Sequence, residues 1–151
     1  MWNGMKKAVT FSYDDGVTQD RRLIKIFDKY GLKATFNLNS GLLGTANLLV
    51  REDVTVSHCK SRACEVKEIY KNHEIAAHTL THPSLPRLSD EEIVEQVEKD
   101  RLALSELAGY EVLGMAYPGG GPNCDERVAD IVKNRTGIKY ARTVYSSHSF
   151  G

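Results

Sequence analysis

The stretch "HEIAAHTLTHPSLPRLSDEEIVEQV", residues 73–97, decides how the rest of the chain is read. Its first part is a short apolar run that predicts a strand over 73–79. His78 and His82 then stand four positions apart, a spacing that on a helix would put both rings on one face. Thr79, Leu80 and Thr81 lie between them, and Pro83 forbids a helix running onward. The reading is therefore a strand ending at His78, a turn through Thr79 to Thr81, and a return at His82. A helix follows. Ser89 is its N-cap, with Glu92 three residues on as the partner of a capping box. Asp90, Glu91 and Glu92 suit the positive end of the helix dipole. Ile93, Val97, Leu104 and Ala108 form the apolar stripe, and Gly109 ends it.

The same alternation extends in both directions. Upstream, Lys6 to Ser12 predicts a short buried strand. Residues 18–30 predict a helix with Leu23, Phe27 and Tyr30 on one face and Gly31 as its stop. "LKATFNLN" (32–39) is a second strand, 40–52 a glycine-containing loop, "DVTVS" (53–57) a short strand, and 61–72 a helix. Downstream, "EVLGMAYP" (111–118) is a strand, "GGGPN" (119–123) a turn, and 124–136 a helix closed by Gly137. "IKYARTVY" (138–145) is the last strand. Strand–helix alternation predicts a parallel sheet with crossover helices, and the continuous apolar strands fit a sheet covered on its faces. No repeat, low-complexity tract or linker interrupts the chain, so residues 1–151 are read as one domain.

Composition narrows the classes. The 151 residues suffice for one domain with a real core, and 41% hydrophobic with 26% charged residues is ordinary globular usage. Twenty basic residues balance twenty acidic ones. With no basic stripe or aromatic-basic tract, a nucleic-acid surface is not expected. No apolar run is long enough to span a bilayer, and the start "MWNGMKKAVTFSYDDG" has no apolar central stretch of a signal peptide. As written, the chain is expected in the cytoplasm, or at the envelope or secreted if an upstream leader was removed. Cys59, Cys64 and Cys124 make an odd count with no second pair to close a zinc site, and are read as packing or exposed thiols.

Three motifs fall just past predicted strand ends: "YDDG", "HTLTHP" and "YPGGG". In barrels and open α/β sheets that edge is where sites are built. Two imidazoles converging with a carboxylate make a three-ligand metal site. Asp14 and Asp15, as neighbours in extended chain, point to opposite sides. They can divide labour, one binding metal and one serving as base. A proline followed by glycines bares backbone N–H groups for an oxyanion. Two histidines and one carboxylate also suit Fe(II), although the βα alternation speaks against the all-β barrels that carry such sites.

Together, "TFSYDDG", "HTLTH" and "AYPGG" resemble the polysaccharide deacetylases with a NodB-homology domain, the family four carbohydrate esterases. The H-[ST]-x-x-H element stands as His78, Thr79 and His82, and the D-D pair as Asp14 and Asp15. The resemblance implies a distorted, here incomplete, (β/α) barrel and a hydrolase removing acetyl groups from N- or O-acetylated carbohydrate. Asp15, His78 and His82 would hold a divalent metal, zinc first with Co2+, Ni2+ or Mn2+ as others, and water at that metal would be the nucleophile. Asp14 would be the base, and Tyr117, Pro118 and Gly119 the oxyanion and substrate contacts. The family's third motif usually opens with an arginine that orients the base, where this chain has Ala116. An aromatic usually follows the proline, where this chain has Gly119. The later Asp-Trp and Leu-x-His motifs, the second supplying the general acid, have no counterpart before Gly151, and His148 fits neither. The alternative is thus a truncated domain that binds metal or sugar without efficient turnover. An incomplete barrel also predicts self-association through an open sheet edge. Chitin oligomers, peptidoglycan, acetylated xylan and small N-acetyl compounds are all compatible substrates.

Overall fold

The computed structural model describes residues 8–146. Five parallel strands form the main sheet in the order β1-β2-β5-β6-β7. These are β1 (Ser12–Asp14), β2 (Thr35–Leu38), β5 (Glu74–Ala77), β6 (Gly114–Ala116) and β7 (Tyr140–Arg142). Helices α1 (Asp20–Lys29), α2 (Val66–Ile69), α3 (Asp90–Ala108) and α4 (Glu126–Arg135) supply the crossovers. The sheet curls into a half-barrel. In a flat sheet the outer strands β1 and β7 would lie about 19 Å apart, four inter-strand spacings. Yet Arg142 on β7 donates from Nε to Ser12 Oγ on β1 at 3.1 Å. Only curvature brings the two edges within reach of one side chain.

The core is built as the apolar pattern dictates. Phe36, Leu38, Ile75 and Met115 on the strands meet Phe27 of α1, Ile93, Val97 and Leu104 of α3, and Val128 and Ile131 of α4. Ser89 caps α3 and forms the predicted box with Glu92, and Gly109 ends the helix in the left-handed region. Asp125 caps α4 by accepting from Val128 N–H at 2.8 Å.

Several expectations are corrected. Of the first strand, expected over Lys6–Ser12, residues 6 and 7 lie outside the described residues; among those described the strand runs from Ser12 to Asp14, where the parallel ladder with β2 pairs Ser12 with Thr35 and Asp14 with Asn37. In α1 the buried positions are Asp20, Ile24 and Phe27, while Leu23 is only half-buried and Tyr30, beyond the last helical turn, points to solvent. The 40–52 loop is more ordered than expected. It makes a 3₁₀ turn at Ser40–Leu42 and then strand β3 (Leu48–Arg51), which pairs antiparallel with β4 (Val54–Ser57). The predicted strand 53–57 therefore belongs to a separate, exposed hairpin. The alternation is interrupted there because Glu52 and Asp53 make a tight turn, Glu52 at φ 49°, that favours local pairing. The helix expected over 61–72 contracts to a 3₁₀ turn and the single turn of α2.

Candidate metal centre

The site forms along the C-terminal edge of the half-barrel, where β1, β2, β5 and β6 end together. Asp14 is the last residue of β1, and the chain turns at Asp15, whose N–H donates to Asn37 O at 2.9 Å. The abrupt turn puts Asp15 at φ 81° and swings its carboxylate away from that of Asp14. His78 follows β5 directly, its N–H shared between Leu38 O and Asp100 Oδ2, each at 2.9 Å. The chain then reverses through Thr79 (φ 67°) to His82 (φ 61°). Asp15, Thr79 and His82 are three of the four non-glycine residues with left-handed backbone among the described residues, each at a cost of roughly 1–2 kcal/mol. Strain gathered in one place has to be held by its surroundings, and it is. Asn39 Nδ2 donates to the carbonyls of His78 and Thr79, His82 N–H donates to Thr79 Oγ1 at 3.1 Å, and Gln96 of α3 grips Leu80 and Thr81. Gly41 completes the support: its N–H meets Leu80 O at 3.0 Å, and a Cβ there would stand 2.6 Å from that oxygen.

This scaffold brings together one ligand atom each from Asp15, His78 and His82, all within 4.8 Å of one another. The donor chemistry fits a divalent cation. His78 Nδ1 lies 2.8 Å from Ala116 O. A carbonyl only accepts, so that nitrogen carries the proton and Nε2 keeps its lone pair, as ligating histidines require. Burial pushes the His78 pKa down, against the carboxylates of Asp14 and Asp15 and the Ala116 carbonyl, and favours the neutral ring. Burial pushes the Asp15 carboxyl up, but the Lys60 ammonium beside it outweighs that and holds the pKa below the ordinary carboxylate value.

Asp14 sits beside this cluster and outside it. Its Oδ1 accepts from Asn37 Nδ2 at 2.9 Å and from Arg142 Nη2. Both donors converge on one oxygen, which leaves Oδ2 as the oxygen that can take a proton. The register pairs Arg142 with Ala116 across β6 and β7, so a guanidinium enters the site one strand over from where the sequence has alanine. Of the third motif, Tyr117 turns its buried side chain toward α4, beside Ala129 and Val132, and its N–H is committed to Arg142 O at 3.0 Å. Pro118 has no N–H. Gly119, at φ 98°, is the one of the three that can donate to a ligand. His82, Pro118 and Gly119 line a cleft of about 550 Å³. A second cleft of about 450 Å³ opens on the other side of His82, between Asp15, His58, Lys60 and Leu49. His148 lies outside the described residues.

Sequence reasoning did not single out Asn37, Asn39, Lys60, Asp100 or Arg142. Weak signals existed. Asn37 and Asn39 interrupt an apolar strand. Asp100 stands on the buried stripe of α3 three residues after Val97, where an unpaired carboxylate would not be tolerated. Its buried side chain accepts from Ser40 N–H as well as His78 N–H.

The half-barrel of parallel strands thus carries an Asp-His-His cluster on its C-terminal edge. The chain belongs to the polysaccharide deacetylase family, whose model matches residues 3–141. It is 24% identical over 120 residues to the peptidoglycan-N-acetylglucosamine deacetylase PgdA of Listeria monocytogenes, covering 78% of this chain and 22% of that protein. Among solved structures it is similar to the Streptococcus pyogenes deacetylase PplD in complex with acetate, with a TM-score of 0.70, 23% identity and coverage of 85% of this chain and 52% of that one. It is also similar to a family four pseudoenzyme from Bacillus anthracis, with a TM-score of 0.69, 23% identity and coverage of 90% and 43%. The chain thus spans about half the length of these solved relatives and less of the Listeria protein. Among the described residues no helix is long and apolar enough to cross a membrane, and all three cysteines are free.

Proposed function

We propose that this protein is a divalent-metal-dependent deacetylase that cleaves the acetyl amide or ester of an acetylated carbohydrate, zinc being the first candidate metal. The observation that carries the reading is the convergence of Asp15, His78 and His82 with Asp14 alongside, its Oδ1 tied and Oδ2 left available. When bound, such a metal polarises the acyl oxygen and acidifies water. Asp15, His78 and His82 would hold it. Asp14 Oδ2 would take the proton of the water that attacks the acetyl carbon. Gly119 N–H would donate to the oxygen of the tetrahedral intermediate. Pro118 and Gly119 would line the cleft that admits the sugar. Cleavage of the C–N or C–O bond releases acetate and leaves the amine or hydroxyl on the sugar.

The test pairs two measurements on the metal-stripped protein. Zinc titration of wild type and His78→Ala asks whether the cluster binds metal. Release of acetate from N-acetylated chito-oligosaccharides with and without zinc asks for turnover. Zinc-dependent acetate release lost in Asp14→Asn supports the reading, and zinc bound equally by wild type and His78→Ala refutes it. A second reading, a domain that binds metal or sugar without efficient turnover, draws on the Lys60 ammonium seated 3.2 Å from Asp15 Oδ1. Metal binding with no acetate release from any acetylated glycan would favour it.

A further inference from the structure

We propose that Lys60 is a resident cation of this centre, sharing the Asp15 carboxylate with the divalent ion and holding down the site's affinity for that ion. The inference rests on the assignment of Asp15, His78 and His82 as metal ligands. Lys60 Nζ lies 3.2 Å from Asp15 Oδ1, the same oxygen that lies 3.9 Å from His82 Nε2. The ammonium and the metal therefore address one set of lone pairs. Asp15 Oδ2 in turn lies 3.4 Å from His58 Nε2.

Lys60 cannot easily withdraw. Its side chain is 5% exposed. Its backbone is clasped against the Asp15–Thr18 turn: Val17 and Lys60 form an antiparallel bridge, Thr18 N–H donates to Cys59 O, and Ser61 N–H donates to Gly16 O, both at 2.9 Å. Lys60 N–H is itself tied to Thr45 O at 2.9 Å. A buried ammonium needs counter-charge. Asp15 supplies it from the site side. Asp20, buried and accepting from Tyr70 Oη at 2.7 Å, supplies it from the interior, where the field of Lys60 reaches its carboxyl. The lysine thus pairs with a ligand of the centre and lies within the field of a buried carboxylate of α1. Two consequences of opposite sign follow. In the metal-free protein Lys60 compensates two carboxylates and stabilises the fold. In the metal-loaded protein it places a unit charge beside a dication that shares its carboxylate, and repulsion at that range in a partly buried site is large.

The experiment is titration of the metal-stripped protein with zinc chloride, wild type against Lys60→Met, Lys60→Arg and His78→Ala, with thermal melts of each sample with and without zinc. Lys60→Met is expected to bind zinc at least about tenfold more tightly than wild type, to melt at a lower temperature without metal, and to gain more from zinc than wild type does. Lys60→Arg keeps the charge and is expected to stay within about threefold of wild type. Should Lys60→Met fail to fold, Lys60→Gln is held to the same tenfold criterion. Unchanged or weaker zinc affinity in the neutral variants, with His78→Ala abolishing binding, overturns the part given to Lys60 and leaves the metal centre standing. Tightening in Lys60→Arg equal to that in Lys60→Met also overturns it, because charge would not be the cause. Zinc bound equally by wild type and His78→Ala, or by none of the variants, overturns the metal centre itself and this inference with it.

Discussion

Arg142, at the end of the edge strand β7, donates from Nη2 to Oδ1 of Asp14, at the end of the opposite edge strand β1. Asn37 donates to the same oxygen and also to Ser12 Oγ at 2.8 Å. A carboxylate held by two donors on one oxygen presents the other in a fixed direction. Proton abstraction depends steeply on that direction. Arg142→Ala is therefore expected to lower kcat for acetate release by about ten- to a hundredfold, with KM and zinc affinity little changed. Exogenous guanidinium should restore part of the loss, since it can refill the space and the charge. Loss of zinc binding in Arg142→Ala would show that the residue serves the metal ligands instead.

The neighbouring histidines separate ligands from bystanders. His78 and His82 both contribute to the cluster, whereas His58 reaches only Asp15 Oδ2. Alanine at 78 or 82 is expected to weaken zinc binding by at least about a hundredfold, and alanine at 58 to leave it nearly unchanged. Titration calorimetry decides, and a large loss in His58→Ala would move the ion toward the β3–β4 hairpin.

Asp20 gives stability a pH dependence opposite in sign to that of an ordinary paired carboxylate. Burial pushes its pKa up from 3.8 to about 6, against the Tyr70 hydroxyl and the Lys60 charge. Between about pH 4 and pH 6 the folded chain holds a proton that the unfolded chain has released. The stability this contributes is complete below pH 4 and is lost as pH rises through 6. Asp20→Asn keeps an acceptor for Tyr70 without the titration. On going from pH 4 to pH 7, wild type should lose roughly 2–3 kcal/mol relative to the variant. Urea unfolding at pH 4, 5, 6 and 7 checks it, and parallel curves for the two proteins would refute it.

Among the described residues the edge strand β7 pairs with β6 on one side only, and Tyr140, Val144 and Tyr145 on and beyond it are exposed. An unpaired edge with apolar side chains templates association. Light scattering across a concentration series should show oligomers that Val144→Lys with Tyr145→Lys disperses. A clean monomer at every concentration would reject the prediction.

What could be read from the sequence was local. The capping box at Ser89, the stripe from Ile93 to Ala108 and the break at Pro83 are set by neighbours within a few residues, so they could be read without coordinates. The candidates for the Asp-His-His cluster were also legible, because H-x3-H after an apolar run and an acidic pair after another are short-range patterns, while the choice of Asp15 within the pair came from the family resemblance. The hairpin of β3 and β4 was missed because its partner choice is a contest between two sheets, which no local propensity decides.

Sequence alone determined which side chains stand at strand ends: Asp14, Asp15 and His78, each following or closing an apolar run, with His82 returned beside them by the turn before Pro83. Only the tertiary structure decided what faces them. Arg142 meets Asp14 because the sheet curls until its two edges share a side chain's reach, and Lys60 meets Asp15 because the chain after β4 bridges back to the first turn. Both are contacts between segments far apart in the chain. They depend on sheet curvature and loop packing, which are properties of the whole fold and leave no periodic trace in the residues that make them.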